Sequence, residues 1–230
     1  MVKYIISLIT AVIYLACSTT TIHAKPLTFT AIYDVYEDDT IKAVTTSRLQ
    51  KLDHHHYQLT DITEGTKGLA SLLNFKRTEH SKFIYRDQKA EMINHNMKQK
   101  VAFKSKLYKF SHQPGEFSYQ GINRKKPFKL NSQQPLLSTH VMSWQLTQQV
   151  CHNPKDNMQW QILKSDEPKT YFFKTVAVDN DKILVHRIYQ NRSDKSTRIW
   201  INSRDCYIEQ IIYEDNGKIV RTVIKDINFN

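Results

Sequence analysis

Glycine is scarce in this sequence, and the short motifs that mark many enzyme active sites are missing. Five glycines and six prolines among 230 residues leave no flexible linker and no low-complexity tract, so we do not expect extended disorder. The sequence has no Gly-x-Ser-x-Gly elbow, no His-Glu-x-x-His motif, no phosphate-binding glycine loop and no dinucleotide-binding fingerprint. We therefore expect a folded, non-catalytic protein without a cofactor and without a metal site.

Histidines and acids that are close in sequence do not predict a functional group either. The run Asp53–Gln58, DHHHYQ, is the strongest metal candidate, but adjacent histidines on a turn point in different directions, and a closed site needs three or four converging ligands. A solvated hairpin loop is the better interpretation. Asp61 and Glu64 emerge on opposite faces of a strand, and Glu79–His80 lacks a third orienting group.

Long apolar runs are missing after the first residues of the chain. Lys3 precedes the apolar run Tyr4–Ala16, and His23–Ala24 offers a small residue for cleavage. The run is too short to cross about 30 Å of hydrocarbon as a helix. We expect residues 1–24 to be a signal peptide and residues 25–230 to form one β-rich domain in the periplasm. An uncleaved anchor and a lipid-anchored form acylated at Cys17 are the alternatives.

Cysteine is also rare, and two cysteines remain after the predicted signal peptide. In an oxidising compartment Cys151 and Cys206 are expected to form a disulfide. The alternative is a pair of buried, unpaired thiols. Neither lies in a Cys-x-x-Cys motif, which argues against a redox catalyst.

Alternating apolar and polar residues dominate the rest of the sequence. In the first such run, Phe29, Ala31, Tyr33 and Val35 share one face, as in a half-buried strand. Similar short runs recur to the C-terminus, and Asn216–Gly217 suits a two-residue hairpin. The pattern predicts a mainly β protein of about a dozen strands, in a curved antiparallel sheet or half-barrel.

Two segments break this alternation. Residues 136–151 carry apolar residues on two stripes after Pro135, which predicts a helix buried on two sides and laid into the concave face of the sheet. His140, on this helix, is interpreted as a hydrogen-bonded core residue. The segment GLASLLNF, from Gly68, predicts a helical turn or lid at a sheet edge.

The order of these segments resembles a periplasmic family of Gram-negative bacteria, catalogued as domain of unknown function 3108. The resemblance extends from about Leu27 to the C-terminus and rests on Tyr33, Tyr36, Gly68, Leu69, Pro135, Leu136, Trp200 and the turn Asp215–Asn216–Gly217. The chain departs from the family pattern where Lys104 follows Phe103. The resemblance implies no established activity; by fold analogy it implies a half-barrel with a helix in its hollow, as in periplasmic lipid carriers.

Apolar residues of the helix and the later strands are the candidates for a ligand-binding wall. In this hypothesis the protein is a carrier that holds a lipid, an acyl chain or another apolar ligand between sheet and helix. The predicted lining residues are Met142, Trp144, Phe172, Trp200 and Ile212. The alternative for the same residues is an ordinary filled core.

A strongly basic segment offers a second candidate surface. The net charge is +11, and the segment from Lys98 to Lys129 contains a single acidic residue, Glu116. The predicted anionic-surface patch consists of Lys98, Lys100, Lys104, Lys106, Arg124, Lys125 and Lys126. Export makes nucleic acid an improbable partner, so an envelope assembly factor that docks on an anionic membrane surface or an envelope protein is the alternative function. The competing interpretation is a lysine-bearing outer face that protects edge strands. We expect a monomer.

Overall fold

The computed structural model describes residues 28–230, so the predicted signal peptide and Cys17 lie outside the described residues. These residues form fourteen strands and two helices. The strands are β1 Phe29–Glu37, β2 Thr40–Lys51, β3 His56–Gly65, β4 Lys76–Arg86, β5 Lys89–Val101, β6 Lys104–Ser111, β7 Ser118–Asn123, β8 Lys126–Asn131, β9 Asn157–Lys164, β10 Glu167–Asp179, β11 Lys182–Ile188, β12 Lys195–Asn202, β13 Tyr207–Asp215 and β14 Lys218–Phe229; the helices are α1 Gly68–Leu72 and α2 Thr139–His152.

All fourteen strands belong to one antiparallel sheet, which confirms the predicted class with two strands more than the dozen expected. The order is β8-β7-β6-β5-β4-β3-β2-β1-β14-β13-β12-β11-β10-β9. Neighbours in the sheet are neighbours in sequence, except where the first strand pairs with the last. The sheet curls without closing, because β8 and β9 are its two edges.

The open side is bridged by the segment that leads into α2. Leu137 pairs with Ile162 of β9, and its N–H donates to the carbonyl of Gln161 at 2.9 Å. From the other side, the hydroxyl of Tyr108 donates to the carbonyl of Leu163 at 3.1 Å. These contacts join the two halves of the sheet around one core.

The alternation of each strand places one set of side chains on the concave face. Ala31, Leu49, Phe83 and Ile201 are fully enclosed there, whereas their sequence neighbours face outward. Tight turns connect the strands, and the predicted hairpin at Asn216–Gly217 is confirmed, since both residues have positive φ values of 52° and 75°.

Helix α2 fills part of the concave side, as predicted, but it begins later than the sequence pattern indicates. The residue that caps it is Ser138, whose side chain accepts a hydrogen bond from the N–H of Val141. The N–H of Leu136 donates to the hydroxyl of Tyr119 at 2.7 Å, and Leu137 forms a β-bridge with Ile162. Pro135 therefore precedes a strand-like segment rather than starting the helix.

Trp144 is the centre of the contact between α2 and the sheet. Its ring lies 4.8 Å from Phe83 and 4.8 Å from Tyr85, close enough for favourable aromatic packing. Within the described part of the chain, neither helix is long and apolar enough to cross a membrane.

The predicted helical turn at Gly68 is present as α1. It connects β3 to β4 at the ends of these strands, rather than at an edge of the sheet. Leu69 and Leu72 are exposed. The helix adjoins the turn between β5 and β6, because the N–H of Ala102 donates to the carbonyl of Leu73 at 2.6 Å.

Gly121 in β7 provides a test of how tightly the curled sheet packs. A Cβ atom there would lie inside the contact distance of the Lys109 carbonyl and the Phe128 ring. We expect Gly121→Ala to lower the free energy of unfolding by about 1–3 kcal/mol, measured as a fall of several degrees in Tm. The neighbouring exposed Gln120 supplies the control: Gln120→Ala should leave Tm unchanged. Equal Tm values for both variants would contradict this packing.

Candidate functional site: a cavity with a buried polar cluster

A cavity of about 480 Å³ lies between α2 and the concave face formed by β1–β4, β13 and β14. Its apolar wall includes Phe29, Ala43, Leu59, Trp144 and Ile211. The core is therefore filled on one side of the helix and hollow on the other.

Charged and ionisable side chains of three elements also contribute to this wall. Asp61, Arg77, Glu79 and His140 contribute to it, and they belong to β3, β4 and α2. The cavity consequently combines an apolar lining with a small charged region.

Of the five predicted lining residues, Trp144 lies in the wall of the cavity. Met142 is buried in the core but lies outside the lining of this cavity. The prediction was wrong for Phe172, Trp200 and Ile212, which are half-buried and lie outside it.

In each of these three strands, the predicted residue lies on the opposite face of the sheet from the residue that is buried or lines the cavity. Phe173 and Ile201 are buried in the core, and Ile211 lines the cavity. Each is the immediate neighbour of a predicted residue, and successive strand residues point to opposite faces. Alternation shows which residues share a face, but it does not show which face is concave.

Beside the cavity lies a group of five residues, here called the buried polar cluster: Asp61, Glu79, Ser81, His95 and His140. Strand register assembles most of it, because Asp61 pairs with Glu79 and Ser81 pairs with His95 in adjacent strands. Helix α2 adds His140 from above the sheet.

Ser81 connects the two histidines of the buried polar cluster. Its side chain is fully buried, and its Oγ lies 2.8 Å from Nδ1 of His95 and 3.0 Å from Nδ1 of His140. The Oγ of Ser138, the cap of α2, is 3.5 Å from the same oxygen. The start of the helix is thus tied to the middle of the sheet.

His140 and Asp61 form an ion pair, with Nε2 and Oδ1 separated by 3.3 Å; the His140 side chain is 5% exposed and the Asp61 side chain 29%. Burial opposes ionisation of Asp61, but the charge of His140 and a hydrogen bond from Ser47 outweigh it and hold the pKa of Asp61 below its usual value. Burial likewise opposes the charge on His140, and Asp61 outweighs it, so the pKa of His140 is raised. Each group therefore favours the charged form of the other.

The pKa of His95 is shifted in the opposite direction to that of His140. Burial, together with the nearby charges of His140 and Arg77, lowers the pKa of His95 to about 3, so its imidazole is neutral. Its Nε2 lies 3.8 Å from Oε2 of Glu79, whose other oxygen accepts a 2.6 Å hydrogen bond from Nε of Arg77.

The chemistry that this arrangement supports is the binding of a metal ion. Glu79, His95 and His140 each present one ligand atom within 4.8 Å of the others, which is compatible with holding a metal ion. The Ser81 hydroxyl is held between two imidazoles away from the cavity wall, so it positions these rings rather than facing a bound molecule.

Sequence reasoning missed the buried polar cluster as a group. Asp61, Glu79 and His140 were considered singly or with sequence neighbours, although the true partners come from other elements. One signal was available: Ser81 and His95 occupy the same alternating face as Phe83 and Met97, both of which are buried. A polar residue on an apolar face is a candidate for a buried contact.

The predicted anionic-surface patch is divided between two places. Lys104, Lys106, Arg124, Lys125 and Lys126 line a second hollow of about 1100 Å³ at the turns β5–β6 and β7–β8, together with one acid, Asp166. We call this the basic hollow. Lys98 and Lys100 are exposed and lie outside it. Phe103, in the β5–β6 turn, is fully exposed beside it.

The surface histidines behave as the sequence indicates. His56 Nδ1 lies 2.6 Å from Oδ1 of Asp53, and the loop Asp53–His55 is exposed. This arrangement is that of a solvated hairpin loop.

Cys151 and Cys206 are brought together, but as free thiols rather than as the predicted disulfide. Cys151 lies in the last turn of α2 and Cys206 in the turn between β12 and β13. Cys151 Sγ donates to the carbonyl of Asn202 at 3.6 Å, and Cys206 Sγ donates to the carbonyl of Ser203 at 3.9 Å. The proximity of the two thiols raises the pKa of Cys151 and lowers that of Cys206. The disulfide itself stays a prediction.

Comparison with known proteins relates the fold to solved structures. A β-barrel-like protein of domain of unknown function DUF1849 from Brucella abortus matches 90% of this chain and 99% of its own, with a TM-score of 0.55 and 10% sequence identity. At this identity the likeness shows the fold alone. No family model matches the chain, and no curated protein matches it.

The proximity of the two cysteines leads to a test of pairing. After oxidation of the folded protein with diamide, we expect both thiols to be lost to thiol reagents and the intact mass to fall by two hydrogens. Tm should rise, because a disulfide typically contributes about 2–4 kcal/mol. Cys151→Ser, treated in parallel, should keep one reactive thiol and show no such rise. Two reactive thiols in the treated wild-type protein would contradict pairing.

Proposed function

We propose that this protein is a non-catalytic carrier that binds a lipid or another apolar ligand in the cavity beside α2. The observation that carries the proposal is the hollow of about 480 Å³ between helix and sheet. Its volume is within the range of about 300–1,000 Å³ that is usual for small-molecule sites. An apolar wall with few polar groups is also typical of such sites.

The polar groups of the cavity favour an amphiphile over a purely apolar ligand. Trp144 lines the cavity, and its Nε1 is buried without a hydrogen-bond partner in the described residues. A buried donor of this kind carries a free-energy cost that a ligand acceptor would remove. Arg77 and His140 lie in the same wall, each beside a carboxylate of the protein, Glu79 and Asp61, so this part of the wall can form hydrogen bonds with a polar head group.

The cellular setting belongs to the same proposal. A signal peptide at residues 1–24 would deliver a monomeric protein to the periplasm, where lipid has to cross water between membranes. Membership of the family catalogued as domain of unknown function 3108 is proposed on the residues that resemble it, including Tyr33, Gly68 and Trp200. The likeness to a β-barrel-like protein of unknown function supports the fold on which the carrier proposal depends.

Two neighbouring isoleucines allow a matched test of ligand binding. Ile211 lines the cavity, whereas Ile212, the next residue of β13, lies outside it. We expect the wild-type protein and Ile212→Lys to retain a co-purified lipid in native mass spectrometry and to bind a fluorescent long-chain fatty acid. Ile211→Lys should weaken that binding at least about tenfold, since it places a charge in an apolar site.

Circular dichroism of both variants controls for folding. An empty wild-type protein that also fails to bind the fatty acid would exclude the carrier proposal. Equal affinities of the Ile211 and Ile212 variants would show that the ligand lies elsewhere.

A second candidate function is docking on an anionic membrane, and the basic hollow favours it. Five basic residues converge there around one acid, and Phe103 projects fully exposed from the same turn. Exposed aromatic residues prefer the membrane interface, and each basic residue near an anionic leaflet contributes about 1 kcal/mol. The exposed Leu69 and Leu72 of α1 adjoin this turn and extend its apolar surface.

Charge reversal tests this docking surface. We expect the triple variant Lys104→Glu, Lys106→Glu, Lys126→Glu to bind vesicles of phosphatidylglycerol and phosphatidylcholine at least about tenfold more weakly than wild type. The control is Lys51→Glu, Lys82→Glu, Lys225→Glu, which makes the same charge change at exposed lysines outside the basic hollow. Equal losses of vesicle binding in both triple variants would show that net charge alone causes the effect. The basic hollow would then be rejected as the docking site.

A further inference from the structure

We infer that the buried polar cluster is a binding site for a divalent transition metal of the Zn²⁺ class, with Glu79, His95 and His140 as ligands and Asp61 as the fourth. This inference is independent of the lipid proposal, because it concerns the wall of the cavity and not its contents. Two imidazoles and carboxylate oxygens form a donor set that Zn²⁺ commonly takes.

The distances between the ligand atoms are close to those of a metal site. One ligand atom from each of Glu79, His95 and His140 lies within 4.8 Å of the other two. His95 Nε2 is 3.8 Å from Glu79 Oε2, and His140 Nε2 is 3.3 Å from Asp61 Oδ1. With metal–ligand bonds of about 2.0–2.2 Å, tetrahedral ligands stand roughly 3.3–3.5 Å apart. Small side-chain rotations would bring the atoms of Glu79, His95 and His140 to that spacing, and Asp61 already lies at that distance from His140.

Ser81 supplies the outer contact that metal-bound histidines require. The Nδ1 atoms of His95 and His140 both face its Oγ, at 2.8 Å and 3.0 Å, which leaves both Nε2 atoms directed toward the carboxylates. In the metal-bound form each Nδ1–H donates to Ser81, and the Ser81 hydroxyl donates toward Ser138 Oγ at 3.5 Å. Such contacts fix the tautomer and the orientation of the ring.

Two atoms of the buried polar cluster are left unsatisfied by the protein. Asp61 Oδ1 and His140 Nε2 are buried and have no hydrogen-bond partner within residues 28–230; their 3.3 Å contact is an ion pair without hydrogen-bond alignment. Buried polar atoms without partners are uncommon in proteins. A cation between them would satisfy both.

Access and charge are also compatible with a cation. Asp61, Glu79 and His140 form part of the cavity wall, so an ion can reach them through the cavity. Oε1 of Glu79 accepts a hydrogen bond from Arg77, whereas Oε2 of Glu79 is the oxygen nearer to His95.

The loop histidines require a control, because neighbouring imidazoles at a surface can bind added Zn²⁺ weakly. The test therefore uses a background in which His54, His55 and His56 are changed to alanine. After dialysis against a chelator, we expect this loop variant to bind one Zn²⁺ per chain in isothermal titration calorimetry, with a rise in Tm. Glu79→Gln and His95→Asn in the same background should weaken Zn²⁺ binding by more than about 100-fold, since loss of an outer contact alone costs 10–100-fold.

His80, which follows Glu79 in β4 and is exposed, provides the matched control: His80→Ala should bind Zn²⁺ as tightly as the loop background. Failure of the loop variant to bind Zn²⁺ would overturn the inference, and this result does not depend on the folding of any cluster variant. Unchanged Zn²⁺ affinity in folded Glu79→Gln and His95→Asn would overturn it as well.

Discussion

The packing of α2 against the concave face of the sheet is the contact on which the rest of this structure depends. The sheet curls but leaves β8 and β9 as free edges, so backbone hydrogen bonds alone do not enclose a core. Trp144 and its neighbours supply the apolar surface that the concave face needs, and Leu137 joins the helix to β9. The cavity is the space that the helix leaves between itself and β1–β4.

Polar contacts determine where the helix lies on that apolar surface. Apolar packing is non-directional, whereas the hydrogen bonds of Ser81 with His95 and His140 are satisfied in one arrangement. Gln145 adds a second fixed point, because its side chain donates to the carbonyl of Gln88 at 2.8 Å and accepts from the N–H of Ala90 at 2.6 Å. Burying polar groups costs free energy unless they are paired, so these pairs select one helix position.

Local patterns in the sequence were sufficient for the architecture. Alternation identified the strands, the positive-φ pair Asn216–Gly217 identified a hairpin, and the apolar segment after Pro135 identified the helix on the concave side. The site was predicted less well, because its members are distant in sequence. Trp144 was placed correctly, while Ile212 was chosen in place of Ile211, since a period of two residues does not say which face is concave. His95 and Ser81 were missed because their partners come from register and from α2.

Because β8 and β9 do not pair with each other, the curled sheet has a gap between these two strands. Across every other pair of strands, widening the sheet would break a ladder of backbone hydrogen bonds, whereas at the gap the main contacts are Leu137 with β9 and Tyr108 with Leu163. Opening this gap would leave the ladder from β8 through β1 and β14 to β9 intact, so a change in the curvature of the sheet breaks the fewest backbone hydrogen bonds there.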